Sequence, residues 1–570
     1  MAEVPMKILI LSSAFNGLSQ RVQRELLQLG HELRLHIDLD PAQLRQELQA
    51  FNPALVVCPF LTQRIPEDIW RNWLCLVVHP GIEGDRGPWS LDWAIQSKDE
   101  CWGVTLLQAD KEMDAGNIWG TAEFPLRGAS KLSIYKREVS TAAVALIKNL
   151  LNDFQNPHFH ARPLDYNRNA VRGRLRPFMK QARREINWCR DSTATVLQKI
   201  RAADTSPGVM DSICGVEVYL YGGVQEPSLR GPAGDIIATT DDAICRATKD
   251  GAVWIRQLKC MSSDQLPPIK LPATTVLKNI SSKKQWQKIS HLSSHAPIAD
   301  MWVERRDAAA FVYFNCYNGA FSTHQCQKLL QMLQAVKRSD AKFIVLMGGN
   351  DFWSNGIQLN CIEAAEDSAE ESWQNIHAID DVVLEIIDSP QHMTIAALRN
   401  NSGAGGSIMA LACDEVIIRA GTVHNPHYQS MGLYGSEYWT YLLPKKVGSS
   451  QAEALTRDCE PLLASEAMQL GFADALLAED WQTYHQQLFA HLARLGQHWH
   501  MEGFLRAKAK QRQTDEALKP LAQYREEELQ KMRAIFFNPA SDYHLLRHNF
   551  VNKIKTSKIS TAAPELRTAI

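Results

Sequence analysis

Several features are missing from this 570-residue chain. Its twelve cysteines include no Cys-x-x-Cys pair, so no paired framework is read into them. Cys58, Cys75 and Cys413 lie inside apolar runs, where a free thiol acts as a small buried hydrophobe. Charge of either sign is not in excess: 61 Lys and Arg stand against 63 Asp and Glu, a net charge of −2. Nothing therefore points to nucleic acid or an anionic membrane surface. No apolar run approaches membrane-spanning length. The run Ile8-Leu9-Ile10-Leu11 after Lys7 is too short for a signal peptide, and Asn16-Gly17 follows it in place of a small-residue cleavage site. It predicts a first strand, and the expected setting is a reducing cytoplasm.

What is present is ordinary globular composition, 45% hydrophobic and 22% charged. The length suggests three or four domains. The most informative stretch is Leu74–Trp119. Cys75-Leu76-Val77-Val78 reads as a short buried strand, ending at His79 and followed by Pro80-Gly81. Ligands of open α/β sheets collect outside the carboxyl ends of strands, where this histidine falls. A turn through Gly84, Arg86, Gly87 and Pro88 follows, then a helical face of Leu91, Trp93, Ala94 and Ile95. A strand at 103–107 leads to Met113-Asp114-Ala115-Gly116.

That order of parts resembles the catalytic core of the 10-formyltetrahydrofolate transferases. The resemblance implies His79 as the proton carrier and Asp114 as the carboxylate that orients it. Those enzymes carry Asn two residues before the histidine, where this chain has Val77. Alternating strands and helices over residues 7–150 predict a doubly wound, parallel sheet. The loop 60–66, with Gln63 and Arg64, then corresponds to one that lines the folate pocket. Asn16, Gln20 and Arg21 after the first strand, and Arg86, are expected on the same rim; each is equally readable as a polar loop end. The basic stretch 156–184, with Arg172, Arg174, Arg176, Arg183 and Arg184, is either a solvated linker or a site for a glutamate tail or phosphate.

Short strands separated by Gly, Pro and Asp turns over 215–274 predict a small β-barrel. It resembles the domain appended to methionyl-tRNA formyltransferase, but without notable basicity, and is expected as a spacer. Beyond about residue 285 the pattern changes. A strand at 343–347 runs into Gly348-Gly349-Asn350 and Ser354-Asn355-Gly356-Ile357. A second strand, at 394–398, precedes Gly403-Ala404-Gly405-Gly406 and a helix ending at Cys413-Asp414. These turns resemble the crotonase (enoyl-CoA hydratase/isomerase) superfamily. The resemblance implies an oxyanion hole from the N–H groups of Ile357 and Gly405. It also implies coenzyme A bound around Ser354, Gly356 and Gly406, with Arg547 at its phosphates; for Arg547 and Lys553 a solvated face is the alternative.

The two glutamates used by hydratases of that superfamily fall on Ile408 and Tyr428. A new carboxylate, Glu437, is equally readable as a surface acid, but its apolar and aromatic neighbours favour burial and a raised pKa, which suits a base. His544 and His548 have a metal-compatible spacing but no third ligand, so no metal is expected.

The expected α/β multidomain organisation is therefore a formyltransferase-like domain with its connecting arm (1–195), a small β-barrel (196–284), a crotonase-like domain (285–505) and a helical tail (506–570). Over the full length this combination resembles the hydrogenase maturation factors HypX and HoxX. The resemblance implies formyl transfer from 10-formyltetrahydrofolate to coenzyme A, then decarbonylation of formyl-CoA to give the carbon monoxide ligand of a NiFe-hydrogenase. On that reading Tyr428 partners Glu437, and the maturation machinery of the hydrogenase large subunit is a possible partner. Two readings stay open beside it: a formyltransferase fused to another acyl-CoA enzyme, and a degenerate scaffold that only holds ligands.

Overall fold

The computed structural model describes residues 5–261, 267–280, 286–289, 298–498 and 500–554. They form two units, one of residues 1–258 and 272–289, the other of residues 259–271 and 290–570.

The first unit is built on a six-stranded sheet in the order β2-β1-β3-β4-β5-β6, with β1 Lys7–Ser12, β2 Glu32–Ile37, β3 Leu55–Cys58, β4 Cys75–His79, β5 Cys101–Gln108 and β6 Ile118–Pro125. Both faces of β1 are covered, as an unbroken apolar strand requires. Ile8 and Ile10 face one core with Val22, Leu26 and Ile147, while Leu9 and Leu11 face another with Leu44 and Leu48. The first four strands pair in parallel, but β5 is antiparallel to β4, and β6 to β5. The sheet is thus mixed where an all-parallel one was expected. The chain spends residues 80–89 on the turn around His79, and the helix that follows, Ser90–Ser97, has only eight residues. At 1.5 Å per residue it spans about 12 Å, a short crossover, and β5 returns in the opposite direction.

The region read as a small barrel is a sheet in the order Val209–Ile213, Val216–Glu226, Ala252–Cys260, Ile244–Ala247, Ile236–Thr239. Its first strand escaped the sequence reading, and no pairing among the described residues closes it. The basic arm is not a solvated linker. Arg176 is buried against Asp85, Arg184 is buried against Asp92, and Arg162 and Arg168 both pair with Glu83. Arg172 pairs with Glu123 near the surface. The first two arginines are therefore committed to the fold and do not offer themselves to a ligand.

The second unit has a sheet in the order Met301–Arg306, Ala309–Phe314, Phe343–Gly348, Met393–Leu398, Glu415–Arg419, Ala475–Leu477. Its central pairings are parallel. Alternate residues enter two cores: Ala310, Val312 and Phe314 one, Phe311 and Tyr313 the other. The segment expected as a charged helical tail is helical over Met501–Leu518, Leu521–Phe536 and Asp542–Asn552, and residues 555–570 of it lie outside the described residues. Leu529, Met532, Phe536 and Tyr543 from the last two join the core of this unit. No helix among the described residues is long and apolar enough to cross a membrane.

Candidate functional sites

In the first unit His79 ends β4 and is 6% exposed. Its Nδ1 lies 3.5 Å from Asp114 Oδ1, the carboxylate expected from the sequence. Its Nε2 lies 3.1 Å from Asp85 Oδ2, a carboxylate the sequence reading passed over as part of a turn. Asp114 has a left-handed backbone, φ 57°, and its other oxygen accepts the Gly87 N–H at 3.0 Å. Asp85 is fixed from behind by Arg176 Nε at 3.0 Å. Burial alone would lower the histidine's pKa, but the hydrogen bond to Asp85 and the charges of Asp114 and Asp85 outweigh it and the net shift is upward.

Glycine is required at position 81. A β-carbon there would fall 2.4 Å from His79 Nε2 and 2.6 Å from Asp85 Oδ2. The turn is pinned by Thr105 donating to Gly81 O at 2.8 Å, and by Ser90 and Trp102 donating to Pro80 O.

A shallow cleft opens beside Asp114, lined by Gln63, Arg64, Val77, Leu107, Glu112 and Met113 among others. Gln63 and Arg64 are thus where a pocket wall was expected, and Val77 occupies the wall where an amide was missed. Arg86 leans on the same loop, bonding Met113 O at 3.3 Å and Glu112 at 2.8 Å. Asn16, Gln20 and Arg21 are placed differently. Asn16 caps the Gly17–Gln28 helix, Gln20 donates to Phe15 O, and Arg21 is buried in an ion pair with Glu25. None of the three lines this cleft.

In the second unit the two glycine-rich turns abut. A β-carbon on Gly356, whose φ is +75°, would lie 3.3 Å from Gly405 N. Gly405 begins a helix, so its N–H has no acceptor within that helix. Ser354 and Gly406 are buried and pack on one another. The Ser354 hydroxyl accepts the Gly356 N–H at 3.2 Å, so both residues shape the turn from within. Arg547 is buried with its Nε 2.7 Å from Glu363 and one further nitrogen 3.0 Å from the Ser368 hydroxyl. A phosphate there would have to share the guanidinium with Glu363. Lys553 places its ammonium 4.4 Å from the Phe550 ring. His548 bonds Glu363 at 2.7 Å, and His544 lies 3.3 Å from Arg547.

Glu437 is buried and stands directly against Gly405. A β-carbon on residue 405 would sit 1.8 Å from Glu437 Oε1. The glycine is therefore required by this carboxyl. Tyr428 donates its hydroxyl to Glu437 Oε2 at 2.7 Å. Burial, reinforced by the nearby charge of Asp380, pushes Glu437 up to about 8, against the opposing hydrogen bond from Tyr428. Tyr428 is itself raised by burial and by Glu437, so it keeps its proton. Ile408, in place of a hydratase glutamate, is fully buried in the Gly405–Leu411 helix.

Two further carboxylates escaped the sequence reading. Asp380 accepts from the Ser436 hydroxyl and from the Glu437 N–H. Glu528 accepts the N–H groups of Tyr438 and Thr440 at 2.9 and 2.8 Å.

Comparison with known proteins finds relatives of both halves of the chain. Residues 313–555 match the family model for enoyl-CoA hydratase/isomerase, and residues 179–269 match that for the C-terminal domain of formyl transferase. The hydrogenase maturation factor HoxX of Bradyrhizobium diazoefficiens is 40% identical over 567 residues, 99% of this chain and 98% of that protein. A methionyl-tRNA formyltransferase of Syntrophus aciditrophicus is 24% identical over 42% of this chain and 78% of its own length. The crystal structure of HypX from Aquifex aeolicus in complex with tetrahydrofolic acid has a TM-score of 0.93 at 37% identity, covering 100% of each chain.

Proposed function

Since this chain belongs to the family of hydrogenase maturation factors called HypX and HoxX, we propose that its units carry out two steps of one conversion that supplies carbon monoxide to a hydrogenase iron. In the first, the thiol of coenzyme A attacks the formyl carbon of 10-formyltetrahydrofolate. The C–N bond breaks, the thiol proton passes to the departing folate nitrogen, and formyl-CoA and tetrahydrofolate result. His79 is the group that holds and moves that proton, with Asp114 and Asp85 fixing its ring.

In the second step the formyl C–H and C–S bonds of formyl-CoA break. Carbon monoxide leaves and the proton ends on sulfur, so no electrons are gained or lost. The N–H groups of Ile357 and Gly405 hold the formyl oxygen, and Glu437 takes the formyl proton. Tyr428 keeps that carboxyl oriented and passes its own proton to sulfur as it takes one from Glu437, so both residues end as they began. The observation that carries this step is a buried carboxyl packed onto the oxyanion-hole residue. A base with a pKa of about 8 is matched to neutral solution, and its burial excludes the water that would hydrolyse a formyl thioester.

Anaerobic incubation of the purified chain with 10-formyltetrahydrofolate and coenzyme A, with deoxyhaemoglobin as the trap, tests the proposal. Carbon monoxide together with tetrahydrofolate is the expected result, and Glu437→Gln should abolish the first while sparing the second. Formate in place of carbon monoxide would overturn the second step.

A further inference from the structure

We infer that Asp380 is the residue that positions Glu437: from the Ser368–Ile387 helix it fixes the turn at 436–437 and sets a second negative charge behind the reacting carboxyl. The inference rests on the reading of Glu437 as the base.

Three hydrogen bonds define the arrangement. The Ser436 hydroxyl lies 2.7 and 2.8 Å from the two oxygens of Asp380, and the Glu437 N–H donates to Oδ1 at 2.8 Å. Asp380 is fully buried. Glu437 needs such an anchor, because it and Tyr438 have left-handed backbones, φ 61° and 60°, which non-glycine residues keep only where the surroundings enforce them. Glu528 holds the other side of the same turn through Tyr438 and Thr440.

The helix that carries Asp380 also reaches the oxyanion hole. Five residues earlier, Asn375 accepts the N–H of Gln358 at 3.1 Å, immediately after Ile357, and it too is fully buried. One helix thus sets both the donor turn and the base turn.

The charged groups around the pair are few. Glu437 faces Tyr428, Asp380, Glu528 and the buried Cys326 thiol. Asp380 faces Arg525, 3.8 Å away, whose main partner is Asp381 at 2.7 Å. Asp380 is raised by burial to about 6, so near neutral pH it is ionised and opposes ionisation of Glu437. The result is a stronger base that titrates later.

The test uses the full chain and carbon monoxide release from formyl-CoA as a function of pH. Asp380→Asn keeps a carbonyl for the Glu437 N–H and removes the charge. It should move the rising limb of the profile to lower pH by about one unit and lower the plateau. Asp380→Ala removes the anchor as well, and should lower kcat at least tenfold with little change in KM, with Asp380→Asn restoring part of the loss. An Asp380→Asn profile that coincides with wild type, alongside a Glu437→Gln variant that releases no carbon monoxide, would overturn the inference and leave the base assignment standing. Full release by Glu437→Gln would overturn the base assignment, and the inference with it.

Discussion

Asp85 Oδ2 lies 3.1 Å from Nε2 of His79, on the side of the imidazole away from Asp114. Asp114 flanks the other ring nitrogen at 3.5 Å, and the two carboxylates together favour the protonated ring, so its pKa shifts upward in spite of burial.

Replacing Asp85 by Asn removes one of the two charges at nearly constant volume. The His79 midpoint should fall, read by NMR titration of labelled histidine, and tetrahydrofolate release should slow about 10–100-fold. The stabilisation His79 draws from its carboxylates is complete below its ordinary value of 6.5 and is lost as pH rises through the elevated folded value. Asp85→Asn should therefore destabilise the chain more under acidic than under alkaline conditions. An unmoved NMR midpoint would refute the clamp.

Gly405→Ala separates the two steps. The added β-carbon would collide with Glu437 Oε1 at 1.8 Å and displace the carboxyl. Carbon monoxide release should drop by about 100-fold or more, comparable to loss of an oxyanion donor. Tetrahydrofolate formation should persist, because the His79 site lies in the other unit. Equal loss of both products would mean that the two activities are not divided as proposed.

Stability should depend on pH through the buried acids of the second unit. Folding holds protons on Glu437 and Glu528 up to about 8, whereas an unfolded glutamate releases its proton near 4.5. Between those values the folded state binds more protons, so raising the pH destabilises it. Thermal melts should show Tm falling from pH 6 to about pH 8.5, by about 2–4 °C per kcal/mol lost. A Glu437→Gln, Glu528→Gln double variant should flatten that dependence. A wild-type Tm independent of pH over this range would contradict the burial-driven shifts.

What the sequence made legible was local. His79, Asp114, Gly356, Gly405, Tyr428 and Glu437 each lie in a short run that marked them as candidates, and the structure brings His79 to Asp114 and Glu437 to Tyr428 and Gly405. Partners distant in sequence were not legible. Asp380 and Glu528 are 57 and 91 residues from Glu437, each on a helix of its own. Asp380 and Asp381 stand together between Ile379 and Val382, and the sequence does not tell which of the two is buried. Asp85 was masked by its neighbours, because an Asp beside Gly84 and Gly87 is what any turn would carry. The reversal of β5 was invisible for another reason: strand direction depends on how far the crossover travels, which no alternation of residues records.

The carboxyl of Glu437 fills the space that a side chain on residue 405 would otherwise occupy. On the proposed chemistry, an acyl group whose oxygen meets the Gly405 N–H finds that carboxyl where its second carbon would go. A site so used would admit a single carbon and act as a ruler of chain length, and acetyl-CoA would be turned away by size before any question of reactivity arose.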